Sequence, residues 1–168
     1  EKEGTNWHIS RCAFLYDATA IADTDTIDSA ILSIWSSTNG DNSETVNPAN
    51  RSLVSSSPAS NTAIASTDYP IANWGSTKFA TDITLGTWIS AAQYRDFTLN
   101  ADGLANISKT VVSKFGLRGS NDIANAEPTL RSYGYMSFAE VAGTSNDPKL
   151  VIQHSAAAAA FVPRVTIF

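Results

Sequence analysis

Three groups of side chains in this sequence have types and spacing that suit chemistry. The first is aromatic. Sugar recognition uses ring faces for CH–π stacking beside polar groups for hydroxyls, and Trp7, Trp35, Trp74, Trp88, Tyr69, Tyr94, Tyr133 and Tyr135 offer such rings. Trp74 precedes Gly75 and Trp88 follows Gly86-Thr87, which places both near loops; Tyr133 and Tyr135 are two apart and so share a strand face. These four are the sugar-binding candidates, with core packing as the alternative role. The second group is Asp23, Asp25 and Asp28, whose oxygens resemble a fragment of a Ca²⁺ loop without its terminal bidentate Glu. A solvated turn before Ile27 explains them more simply, so no metal or other cofactor is expected beyond this weak Ca²⁺ option. The third group is the apolar segment Val162, Arg164, Val165, Thr166, Ile167 and Phe168, a candidate assembly strand.

Catalytic chemistry is sparse. Outside the first few residues the glutamates are Glu44, Glu127 and Glu140, and most aspartates sit in turn sequences, where capping is their ordinary role. No Gly-x-Ser-x-Gly elbow or phosphate-cradling glycine loop occurs. His8 and His154, the two histidines, lie in expected strands without a motif nearby, and no Cys/His cluster suits a transition metal. The expectation is a protein that is not an enzyme. Cys12 has no intrachain partner; it reads as a small buried hydrophobe, with a thiol nucleophile or an intermolecular bridge as alternatives.

The elements that must position these groups follow a period of two. Trp7 to Tyr16 reads as a strand with Cys12, Phe14 and Tyr16 on one face and Trp7, Ile9, Arg11, Ala13 and Leu15 on the other. Ile27 to Trp35 reads as a second, with Ala30, Leu32 and Ile34 opposite Ile31 and Trp35. The polar stretch Ser36 to Asn50 reads as a loop. Further strands are expected at Ser52 to Ser56, Thr62 to Ser66, Lys78 to Leu85, Lys109 to Arg118, Leu130 to Val141 and Lys149 to His154. One segment changes period: Leu99, Leu104 and Ile107 have helical spacing behind Asn100, a ready N-cap, which predicts one short helix near 100–109. Short strands between Gly, Asn, Asp and Pro turns predict an all-β, antiparallel, jelly-roll-like β-sandwich. It would occupy residues 1–155, followed by an alanine spacer at 156–160 and the apolar strand region 161–168.

Composition narrows the class. The chain has 168 residues, enough for one buried core. Its charged fraction of 16% falls below the roughly 25% usual for soluble domains, with Ser, Thr and Asn filling the gap, which argues against helical bundles. A net charge of −5 without a basic stripe argues against nucleic acid, and no apolar run approaches the ~20 residues that span a bilayer. The opening Glu1-Lys2-Glu3-Gly4 carries no apolar signal core, so the chain either is mature or never had one. A Ser/Thr/Asn-rich, Lys-poor surface fits an extracellular, cell-surface or virion setting. Asn50-Arg51-Ser52 and Asn106-Ile107-Ser108 match the glycosylation pattern, as chance allows in so Asn-rich a chain.

Four segments taken in order carry a resemblance. They are Arg11 to Ile21 with Ile27-Asp28-Ser29-Ala30-Ile31-Leu32-Ser33-Ile34; Phe97-Thr98-Leu99-Asn100-Ala101-Asp102-Gly103-Leu104; Ser108-Lys109-Thr110 with Lys114-Phe115-Gly116-Leu117-Arg118 and Asn121-Asp122; and Asp147-Pro148-Lys149-Leu150-Val151-Ile152. Together they resemble the DNRLRE-type β-sandwich family, whose members are similar to carbohydrate-binding modules of secreted, cell-surface and phage-associated proteins. Tyr16-Asp17-Ala18-Thr19 stands where that family has Phe-Asp-Thr-Ser, and the motif that names the family is absent. The resemblance implies a jelly-roll sandwich and no reaction. It also implies a further strand before Arg11, for which only about ten residues are present. A sandwich short of a strand has an open edge, and the apolar segment ending at Phe168 would fill it, in its own chain or in a neighbour's. The function expected is a non-catalytic structural or adhesive subunit of an extracellular or virion assembly, associating with itself or with other surface subunits. The alternative is a carbohydrate-binding module with a polysaccharide partner.

Overall fold

The alternation around Ala30-Ile31-Leu32-Ser33-Ile34 suits a half-buried strand, and it lies in the longest element of the molecule. The structure is a computed structural model that describes residues 2–3, 6–139, 143 and 145–157. In chain order the elements are β1 (Lys2–Glu3), β2 (Asn6–Trp7), β3 (Cys12–Tyr16), β4 (Thr26–Asn42), β5 (Arg51–Ser55), α1 (Leu85–Trp88), β6 (Gln93–Thr98), α2 (Ala101–Ala105), β7 (Ser113–Gly119), α3 (Ser120–Ile123), β8 (Ser132–Met136) and β9 (Lys149–Ser155). Two 3₁₀ turns, Ser66–Asp68 and Ile71–Asn73, lie in the long connection after β5.

Two antiparallel sheets pack face to face as a sandwich that does not close into a barrel. One has the order β3-β7-β5; the other has the order β6-β4-β8, with β9 also paired to β4. From β3 to β8 successive strands fall alternately in the two sheets, which fits the expected jelly-roll-like arrangement. The inner faces are those that the alternation marks. Phe14, Ala30, Leu32 and Ile34 are buried, while Ile31 is 37% exposed. They meet Leu53, Trp88, Phe97, Phe115 and Leu117 in one continuous core. The helix expected near 100–109 is α2, and the Asn100 side chain accepts a hydrogen bond from the Gly103 N–H at 3.0 Å.

Several boundaries differ from expectation. The loop assigned to Ser36–Asn50 begins only after Asn42, because β8 supplies a ladder partner for the polar end of β4, from Ser36↔Met136 to Asn42↔Ser132. No strand forms at Thr62–Ser66, where the backbone instead wraps Asp68, whose carboxylate accepts from the N–H groups of Ala59 and Ala65 at 2.9 Å each. Nor does one form at Lys78–Leu85. That segment runs irregularly along β5, donating from Phe79 and Ile83 N–H to Leu53 and Arg51 C=O, and then turns into α1 behind the Thr84 cap. Helices α1 and α3 are additions to the single helix expected. β6 escapes the pattern because Arg95, a charged residue, occupies an inward position beside Phe97.

The apolar segment Val162, Arg164, Val165, Thr166, Ile167 and Phe168 lies outside the described residues, as does most of the alanine spacer and Glu140. Among the described residues no helix is long and apolar enough to cross a membrane.

Truncating Leu32, fully buried, should cost roughly 2–5 kcal/mol in Leu32→Ala. Ile31→Ala, on the opposite face of β4, should cost under about 1 kcal/mol. Urea unfolding of the two variants checks the difference; equal costs would contradict the assignment of faces.

Candidate functional site

β3 is the outermost strand of its sheet: it pairs with β7 along one edge, and no strand among the described residues pairs with the other. The far edge of that sheet is different, since β5 is shielded by the 74–83 segment through bridges Arg51↔Ile83 and Ser56↔Trp74. On the β3 side the two sheets gape. A cleft of about 840 Å³ opens there, walled by Cys12, Arg51 and Leu117 from one sheet and by residues 132–136 of β8 from the other. The 7–10 and 125–128 segments and Phe138 complete the rim. Phe138 reaches across to stack on Phe14 at 6.5 Å between ring centroids.

One wall is anchored by a fork of charges. Asp122, in α3, accepts from Arg11 Nε and Nη2 at 2.9 and 2.7 Å and from Arg118 Nε at 2.7 Å. Burial alone would raise the Asp122 pKa, but the two guanidinium groups hold it below the ordinary carboxylate value. Arg11 also donates to the Tyr69 carbonyl and lies over the Tyr69 ring, whose hydroxyl donates to Ile9 C=O. This ties the segment before β3 to the outer face of its sheet.

The opposite wall is set by a close approach. A Cβ on Gly134 would stand 2.8 Å from Trp88 Cδ1 and 3.0 Å from Ile89 Cγ2, so β8 seats on α1 only because residue 134 has no side chain. Arg51 spans the space between the walls. It donates to Ala49 C=O at 3.0 Å and toward Gly134 C=O at 3.4 Å, with its guanidinium carbon 5.7 Å from the Trp88 ring.

The sugar-binding candidates divide. Tyr133 and Tyr135 line the cleft as an edge-to-face pair 5.7 Å apart, and Tyr135 is 59% exposed. Trp74 and Trp88 do not serve as stacking platforms. Both rings are buried, Trp88 in the core and Trp74 against Gly116 outside the core cluster, and their indole N–H groups donate to Tyr135 C=O and Asp68 C=O respectively. The glycines do not mark exposed platforms: Gly86 lies within α1, and the Trp88 N–H ends on β8 while the Trp74 N–H ends on the 3₁₀ turn at Asp68.

The Ca²⁺ candidates do not converge. Asp25 accepts from His154 Nδ1 at 2.8 Å, Asp28 from Ser155 Oγ at 3.1 Å, and the Lys109 ammonium occupies the carbonyls of Asp23 and Asp25. Among the described residues no group of three or more His, Cys, Asp or Glu is placed to hold a metal ion. The glycosylation candidates are both engaged within the fold: Asn50 Oδ1 accepts from Leu85 N–H and Asn106 Nδ2 donates to Lys114 C=O.

Glu44 is the most committed carboxylate. It is 1% exposed and accepts from the N–H groups of Val46, Asn47, Thr129 and Leu130 and from the Thr129 hydroxyl. Those hydrogen bonds, led by Asn47 and Leu130, hold its pKa at about 2 against an ordinary 4.5. Its lone pairs bind two loops together and leave none for acid–base work. Cys12 is equally unreactive: burial pushes the thiol pKa up to about 11, although Arg51 nearby pulls the other way.

No protein-family model matches the chain, and no curated protein matches it.

The Glu44 carboxyl is more acidic folded than unfolded, so it contributes stability above pH 4.5 that is lost as the pH falls from 4.5 toward 2. Glu44→Gln should lower the melting temperature at neutral pH, and the gap from the parent should close through that acid range. Thermal melts across the range check this; a gap independent of pH would refute the linkage.

Proposed function

We propose that this chain is a non-catalytic structural or adhesive subunit of an extracellular or virion assembly. In this reading the apolar strand 162–168 of one copy adds to the free edge of β3 in the next. The observation that carries the reading is that free edge. Its N–H and C=O groups are unpaired by any described strand, while the opposite edge of the same sheet is shielded. An unpaired edge is a template for strand addition, in which backbone hydrogen bonds give affinity and alternate side chains give specificity.

The dimensions agree. β3 contributes five residues and so about 17 Å of edge, and seven extended residues span about 23 Å. Pro163 lacks an N–H and limits pairing at its own position, which leaves Arg164 to Phe168 as the pairing core. Contacts of this kind are head to tail and propagate unless geometry closes a ring. The lack of reaction chemistry is supported by the engagement of Glu44 and Asp122 in structural hydrogen bonds and by the unreactive state of Cys12. The resemblance to the DNRLRE-type family adds an extracellular or phage-associated setting.

A second reading, a carbohydrate-binding module, is favoured by one observation: Tyr133 and the exposed Tyr135 stand at a cleft. A glycan array tests it, and an array without binding would remove it.

The assembly reading predicts concentration-dependent oligomers of the full chain and monomers after deletion of 162–168, read by size-exclusion chromatography with light scattering. A full chain that stays monomeric at every concentration would end the proposal. So would a truncated chain that assembles as before.

A further inference from the structure

The arginines of this sandwich have their charges accommodated in different ways. Arg11 and Arg118 share Asp122. Arg95, 6% exposed, has no carboxylate partner among the described residues, but it is surrounded by acceptors: Ser36 Oγ at 2.9 Å and Trp88 C=O, Ser90 Oγ and Ala91 C=O at 3.2, 3.1 and 2.9 Å. Arg51 has neither solution. No carboxylate pairs with it among the described residues, it makes two hydrogen bonds from five donors, and its Nε is buried without a partner. The nearby Cys12 stays a neutral thiol and cannot serve as its counter-ion. Burial pulls the Arg51 pKa down to about 10, although the residue is only half-buried and borders the cleft. A half-buried cation with guanidinium donors left unused by the protein is a ready partner for an anion.

Arg51 lies in the cleft described above, between Cys12, Leu117 and Met136 on the apolar side and Tyr135 at the mouth. We propose that the cleft between β3 and β8 binds a carboxylate-bearing ligand through the Arg51 guanidinium. The planar fork matches a carboxylate in two parallel N–H···O bonds. A single unpaired cation suits a monoanion better than a phosphate dianion, because the other arginine of the lining, Arg118, is already held by Asp122. The ligand body would rest against Leu117, Met136 and the Tyr135 ring. The carboxylate could belong to an acidic sugar or to a simple organic acid. The inference does not rest on strand exchange at β3, but Cys12 of β3 lines the same cleft, so the titration is also run on the chain lacking 162–168 to keep the two proposals distinguishable.

The test is an NMR titration of the ¹⁵N-labelled full chain, following the Arg51 Nε–H resonance and the amides of Cys12 and Met136. The ligands are sodium glucuronate, sodium propionate, glucose and inorganic phosphate at matched ionic strength. Saturable shifts at all three positions are expected with a carboxylate and not with glucose. A response to glucuronate alone assigns an acidic sugar; a response to propionate as well assigns the carboxylate group itself. Arg51→Gln should weaken the binding about tenfold or more, with Arg51→Lys intermediate. No movement at Arg51 with either carboxylate would overturn the proposal, as would glucose or phosphate binding as tightly, or unchanged affinity in Arg51→Gln. If Arg51→Gln does not fold, the titration of the unaltered chain decides alone.

Discussion

The register of β4 is the constraint on which the rest of the molecule depends. Its residues pair with β6 from Ile31 to Ser36, with β9 from Thr26 to Ser33 and with β8 from Ser36 to Asn42. A slip of one residue against any of these strands would turn Leu32 and Ile34 out to solvent and bring Ile31 and Ser33 in. Because β4 is so long, two strands share one of its flanks in succession. The pairing with β8 shifts between Ser36 and Gly40, where a Cβ on Gly40 would stand 2.6 Å from the Tyr133 carbonyl. Beyond that break β8 packs against α1, with Gly134 close to Trp88 and Ile89.

With few charged residues, the chain uses several of them as interior fasteners. Glu44 joins the 44–47 and 129–130 backbones, Asp68 gathers the 59–65 connection, and Asp122 links the segment before β3 to the end of β7. Each carboxylate satisfies backbone or guanidinium donors that would otherwise be buried unpaired. Long connections with little secondary structure are thereby held in place without a disulfide; the single cysteine, Cys12, is a free thiol.

The parts of this fold that are legible in the sequence are those with a local cause. Cys12, Phe14 and Tyr16 point inward, as do Ala30, Leu32 and Ile34, because strict alternation needs no knowledge of the partner strand. The Asn100 cap is likewise local. The polar half of β4 was not legible, since its strand character comes from pairing with β8, far away in sequence. β6 was hidden by Arg95, whose inward position becomes acceptable only when Ser36, Trp88, Ser90 and Ala91 supply acceptors. Arg51 gave no local signal beyond its place in a glycosylation pattern. Its setting is decided by residues distant in sequence, among them Gly134, which the local pattern cannot show.

The close seating of β8 on α1 at Gly134 has an evolutionary corollary. The aperture's breadth is governed from behind its wall, by backbone bulk at a residue abutting Trp88, whereas its polarity is governed from the front by Arg51. Because Arg51 also donates toward the Gly134 carbonyl and lies over the Trp88 ring, breadth and polarity are coupled, and a change at either residue would disturb both.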